Sequence, residues 1–126
     1  MDFEAKIAEL GLLIPKPAKP AGSYKPCVIV DNIAYISGQG PLLEDGSFAK
    51  GKVGADVDLE TAQNHARLCG LAILSALKNE IGSINKVDQL IKLTGFVNCI
   101  ESFTQQPLVI NGCSNMMKDI FGETGV

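Results

Sequence analysis

Tyr35-Ile36-Ser37-Gly38-Gln39-Gly40-Pro41 decides how this 126-residue chain is read. An apolar strand runs into a small hydroxyl residue and two glycines. Pro41, with no N–H to donate, ends any ladder pairing. Gly38 and Gly40 carry no side chain over their backbone N–H groups, so such a strand end can receive a ligand. Gly and Pro also punctuate most loops, so local chemistry alone favours a plain strand-to-loop turn.

Around the start of the heptad, Cys27-Val28-Ile29-Val30 and Ile33-Ala34-Tyr35-Ile36 flank Asp31-Asn32. Two strand-like runs around residues that tolerate positive φ predict a hairpin. Asp45-Gly46 signals a second reversal after Leu42. On the N-terminal side, Phe3, Ile7 and Leu10 fall at helical spacing over 2–10, with Gly11 as the stop. Pro15, Pro17 and Pro20 then impose an extended arm. On the C-terminal side, Asp58 caps a helix over 59–80, whose stripe is Ala62, Ala66, Cys69, Ile73, Ala76 and Leu77. Residues 87–99 are β-rich, with Gly95 marking a bulge or a close approach. A second helix is expected over 107–121, with Pro107 in its first turn and Gly122 at its end. Asn111-Gly112 in its interior counts against it.

Composition sets the class. The chain is 46% hydrophobic and 20% charged, which fits one globular domain over residues 1–126, with 1–22 as helix and arm. Eleven basic residues against fourteen acidic ones give a net charge of −3, and the pI is near 5.0. A nucleic-acid binder normally shows a basic face, so nucleic acid is an unfavoured partner. Lys16, Lys19 and Lys25 lie among prolines and read as a solvated segment. Asp2, Glu4, Lys6 and Glu9 interrupt any signal-peptide core, and no stretch is long enough to span a membrane. The four cysteines form no C-x-x-C pair, so core thiols in a reducing cytoplasm are expected.

The remaining motifs have structural readings beside functional ones. Gly46-Ser47-Phe48-Ala49-Lys50-Gly51-Lys52 matches most of a phosphate-binding loop, but Val53 replaces the magnesium-binding hydroxyl, which favours a surface turn. His65, the single histidine, sits off the apolar stripe, which favours a surface or subunit-contact role over metal binding. A pairing with a cysteine nucleophile stays open. Asp56 and Asp58 stand at a helix start. Glu101 follows the β-rich run, where a carboxylate can hold a water or orient an amine, or can simply be solvated.

Tyr24, the hairpin, the Ser37-Gly38-Gln39 element, the alanine-rich helix and Phe96-Val97-Asn98 with Phe103 occur in one order. This set resembles the Rid (reactive intermediate/imine deaminase) family, also called the YjgF-like or endoribonuclease L-PSP family. The N-terminal helix and proline arm, with Pro107 and Val109-Ile110-Asn111-Gly112, resemble a less characterised subgroup. The resemblance implies an α+β, chorismate-mutase-like fold, with two helices on one face of a mixed sheet. It implies a homotrimer with ligand clefts between subunits. The implied activity is hydrolysis of 2-imino or 2-enamino acids to 2-oxo acids and ammonia, with no metal or organic cofactor. The alternatives it leaves are a non-catalytic metabolite-binding member and an endoribonuclease-type translation inhibitor.

Carried over by residue, the resemblance makes Tyr24, Ser37, Gly38 and Glu101 substrate-binding. Glu101 stands where deaminating members commonly have asparagine. The catalytic residues stay unassigned. Family members continue into further strands and a carboxylate-gripping arginine. This sequence stops at Val126, with no basic residue after Lys118. The expectation is a piece of a longer chain, because missing central strands would strip apolar cover from both helices. The alternative is a short chain unable to deaminate.

Overall fold

In the computed structural model, which describes residues 2–126, Asp31 and Asn32 take φ of 50° and 63°. Positive φ at both central residues matches the right-handed twist of the strands they join. They connect β1 (Cys27–Val30) and β2 (Ile33–Ile36) in an antiparallel hairpin, with Cys27 opposite Ile36 and Val30 opposite Ile33. This register puts Cys27, Ile29, Ala34 and Ile36 on one face. Val28, Val30, Ile33 and Tyr35 share the other, and all four are exposed. The expected second reversal forms as well: Leu42 bridges Phe48, and Leu43 N–H donates to Ser47 O at 2.8 Å.

Among the described residues, three α-helices complete the architecture. Helix α1 spans Phe3–Glu9, with Asp2 Oδ1 accepting from Ala5 N–H. It ends at Gly11, where the N–H groups of Gly11 and Leu12 satisfy the Ala8 and Ile7 carbonyls. Helix α2 spans Leu59–Ile81, and Asp58 caps it through Thr61 N–H at 2.8 Å. Helix α3 spans Gln106–Phe121, with Pro107 in its first turn. Short 3-10 turns at Ile84–Lys86 and Gly122–Gly125 follow α2 and α3. The α2 stripe lies against the hairpin and α3 runs beside α2, so one core joins Phe3, Ile7, Cys27, Leu74, Ile84, Met117 and Phe121.

Two expectations need correction. Gly112 does not weaken α3. It sits in mid-helix, where a Cβ would lie 1.9 Å from Gln63 O, so glycine lets the two helices touch backbone to backbone. Residues 87–99 do not form a ladder strand. Among the described residues they run extended, with Cys99 alone bridged, in parallel, to Val53. Among the described residues regular pairing is confined to the hairpin, and the parallel bridges of Val53 to Val57 and Cys99 add the mixed pairing expected of this α+β fold. The β-rich composition of 87–99 is real, but a strand needs a neighbour's backbone groups, and Ile91 and Phe96 remain 71% and 94% exposed.

The N-terminal helix is anchored through Glu4. Its carboxylate accepts from Lys78 Nζ at 2.9 Å, Ile84 N–H at 2.9 Å and Ser83 Oγ at 3.3 Å. Burial by itself raises the Glu4 pKa, but these donors outweigh it and hold the carboxyl below its ordinary value. A depressed folded pKa means stabilisation that is present above the unfolded pKa and lost as pH falls through the folded one. Glu4→Gln should cost about 1 kcal/mol at neutral pH and flatten this acid limb. Urea midpoints of both proteins, measured from neutral pH downward through the carboxylate range, check this.

Candidate functional site

The hairpin delivers residues 37–41 to a corner between the sheet and the N-terminal arm. Ser37 N–H donates to Pro26 O at 2.9 Å, the last tie between the heptad and the residues leading into β1. Beyond it, the N–H groups of Gly38 and Gly40 meet no acceptor among the described residues. Gln39 folds back, its Nε2 lying 3.3 Å from Ser37 Oγ and 3.4 Å from Ser37 O. The two glycines serve different ends. A Cβ on Gly40 would stand 2.9 Å from the Phe48 ring, whereas one on Gly38 would meet nothing within 4 Å. Gly40 is packing space, and Gly38 borders open space.

The arm supplies the opposite wall. Pro17 and Pro20 keep it extended. Ser75 Oγ in α2 ties it down by donating to Pro15 O at 2.6 Å, and Ala21 N–H donates to Tyr24 Oη at 3.3 Å. Between arm and heptad lies a 320 Å³ pocket lined by Tyr24, Ser37, Gly38, Gln39 and Phe48, with Lys19 as its one charged lining residue. This volume lies at the small end of ligand sites and suits a small metabolite. Uncovered backbone donors, two hydroxyls, one cation and two aromatic rings make it a place for a small polar anion with an apolar side. A larger groove of 480 Å³ lies between Phe3, Asp88, Phe121 and Glu123, away from the strand end.

The structure thus brings Tyr24, Ser37 and Gly38 together. Glu101 does not join them within one protomer: it is exposed, in the turn that follows the Val53–Cys99 bridge. Lys19, Gln39 and Phe48 complete the pocket, and the sequence by itself assigns none of the three to ligand binding. Lys19 reads there as part of a solvated run, and Phe48 lies inside the phosphate-loop look-alike. That look-alike is a turn: Asp45 Oδ1 accepts from the Ser47 N–H and hydroxyl, and Asp56 Oδ1 accepts from Lys52 N–H. His65 is half-buried on α2. Burial raises the thiol pKa of Cys27 and Cys69, and burial followed by the nearness of Cys69 pushes Cys113 up to about 11. These three are poor nucleophiles at neutral pH. Among the described residues no group of three or more His, Cys, Asp or Glu side chains is placed to hold a metal ion. No described helix is long and apolar enough to cross a membrane.

Comparisons with known proteins bear on the family and the fold. Residues 4–126 match a family model described as "YjgF/chorismate mutase-like, putative endoribonuclease". The chain is 34% identical over 119 residues to Protein TCP17 of Trypanosoma cruzi, covering 94% of this chain and 74% of that protein. It superposes on the crystal structure of a "putative endoribonuclease" from Shewanella oneidensis with a TM-score of 0.95 and 31% identity, covering 100% of this chain and 83% of that one. It is also similar to protein Atu1372 of Agrobacterium tumefaciens, described as of unknown function, with a TM-score of 0.85 and 41% identity, covering 98% and 74% of the two chains.

Proposed function

This chain belongs to the YjgF/chorismate mutase-like family, and from that membership we propose that it hydrolyses small 2-imino acids to 2-oxo acids and ammonia. The observation that carries this reading is the open strand end in the pocket: Ser37 and Gly38 beside Tyr24, with the Gly38 and Gly40 N–H groups uncommitted. Backbone donors fixed in place stabilise charge without reorganising during the reaction. Water adds to the carbon of the protonated imine, a proton passes from the added oxygen to the nitrogen, and the C–N bond breaks, so one protonated 2-iminopropionate plus one water gives one pyruvate, one ammonium ion and no other product. The protein's part is to hold the imine carbon in reach of water and to orient the carboxylate.

The exposed apolar face of Val28, Val30, Ile33 and Tyr35, together with Phe96, supports assembly into a trimer in which neighbouring copies cover these residues. In that assembly Glu101 meets the ligand from a neighbour's side of the cleft. We assign the cytoplasm as the compartment, in keeping with four free cysteines. RNA cleavage, which the family description names, is less well supported: a net charge of −3 and a pI near 5.0 work against binding a polyanion.

Freshly generated 2-iminopropionate incubated with the purified protein tests the reading. The imine should disappear faster than in buffer, in proportion to protein concentration. A decay rate equal to that of buffer alone, with the protein folded and assembled, rejects it.

A further inference from the structure

We propose that Ser75, on the buried side of α2, is a positioning residue for the strand-end pocket, holding the proline arm at its working distance from the heptad. The inference rests on the 2-imino acid reading of that pocket and names what keeps its arm wall in place. Among the described residues that are buried, Ser75 is the one polar residue, at 4% exposure. A helical serine commonly returns its hydroxyl to a carbonyl one turn back, as Ser114 in α3 does with Ile110 O at 3.3 Å. Ser75 Oγ donates instead to Pro15 O, 60 positions away, at 2.6 Å. A buried hydroxyl is costly to leave unpaired, so this bond holds both groups where they are.

The arm has little else to hold it. Among the described residues, this is the one hydrogen bond that links residues 13–25 to the rest of the chain. The other hydrogen bonds of the arm are internal: Tyr24 N–H donates to Gly22 O at 3.0 Å, and Ala21 N–H to Tyr24 Oη at 3.3 Å. Ile14 packs on the core beside the tie, whereas Lys16, Pro17, Lys19, Pro20 and Tyr24 are exposed. Ala18, three residues past Pro15, is where the arm begins to line the pocket, and the lining continues through Ala21 to Tyr24. Pro17 stiffens the stretch between, which at an extended rise of about 3 Å per residue spans about 9 Å, so a shift at Pro15 is carried into the wall. Ser75 itself does not line the pocket, so any effect of its hydroxyl on a ligand passes through the arm. Both partners belong to one chain, and the bond does not depend on how copies assemble.

Ser75→Ala tests this, with Gly70→Ala as the control. Alanine suits a buried helical position, and a Cβ on Gly70 crowds Met116 and Cys113 in α3, away from the arm. In Ser75→Ala the backbone 15N order parameters of Ala18, Lys19 and Ala21 should fall from about 0.85 to below about 0.6, with those of α2 unchanged. Calorimetry should show 2-oxobutanoate bound about tenfold more weakly, and KM for 2-iminopropionate should rise about tenfold with kcat within about twofold of wild type. Gly70→Ala should keep wild-type affinity, KM and arm order at a lower melting temperature. Unchanged arm order or unchanged 2-oxobutanoate affinity in Ser75→Ala overturns the inference, as does an equal loss of affinity in Gly70→Ala or a wild type that does not bind 2-oxobutanoate. The two readings fail separately. Imine hydrolysis with an unchanged KM in Ser75→Ala removes the positioning role and keeps the activity. Arm order and 2-oxobutanoate binding that depend on the Ser75 hydroxyl, without any imine hydrolysis, remove the activity and keep the positioning role.

Discussion

Gly112→Ala should destabilise the protein by about 2 kcal/mol and lower its melting temperature by roughly 10 °C. An added Cβ would lie 1.9 Å from Gln63 O, 2.7 Å from its carbonyl carbon and 2.9 Å from its Cα. These are backbone atoms in the first turns of α2, so no rotamer change relieves the contact. The helices must separate, and Gln63 Nε2, which donates to Leu108 O at 2.9 Å, must give up or stretch that bond. Overpacking typically costs about 1–3 kcal/mol and alanine recovers about 1 kcal/mol of helix propensity, so the loss wins only because the whole α2–α3 seam moves. Gly70→Ala is the control. Its Cβ meets Met116 Cε at 2.6 Å and Cys113 Sγ at 2.9 Å, the ends of side chains that can yield, so its cost should be smaller. Thermal melts and urea midpoints of the two variants, compared side by side, check the ranking.

Gly38→Val should have the opposite profile, with stability close to wild type and ligand binding weakened by a hundredfold or more. Gly38 is not among the glycines with positive φ, and a Cβ there meets nothing within 4 Å, so a branched side chain is accommodated by the fold. The space it fills is the pocket between the arm and the strand end. A ligand held by the neighbouring N–H groups would clash with the new methyls and lose its backbone contacts together, a loss of about 3 kcal/mol. Melting temperature and 2-oxobutanoate affinity measured on the same preparation separate this outcome from general unfolding. A valine variant that binds as tightly as wild type would place the ligand elsewhere.

The contrast between these glycines shows what sequence can and cannot convey. Asp31-Asn32, Asp58 and Pro107 act through local backbone chemistry, so the hairpin and both long helices are legible from neighbours in the chain. Gly112 acts through a residue 49 positions away, and only the packed helices show that the apparent flaw in α3 is a close backbone approach to α2. Residues 87–99 fail in the reverse sense: their composition suits a strand, but pairing depends on partners that propensity does not supply. In the pocket, Tyr24, Ser37 and Gly38 follow from the resemblance in the heptad and its flanks. Lys19 and Phe48 belong to segments with other plausible roles, and only the fold of arm against heptad makes them neighbours. The resemblance makes Glu101 a cleft residue, and its exposed turn does not line the pocket of its own protomer.

The most direct test is an amide chemical-shift map of the protein titrated with 2-oxobutanoate. The account predicts that the largest shifts fall on Ser37, Gly38, Gln39 and Gly40, with Lys19 and Tyr24 next, and that Gly38→Val abolishes them. Shifts centred instead on Asn85, Asp88, Glu123 and Thr124, or none at saturating ligand, would contradict it.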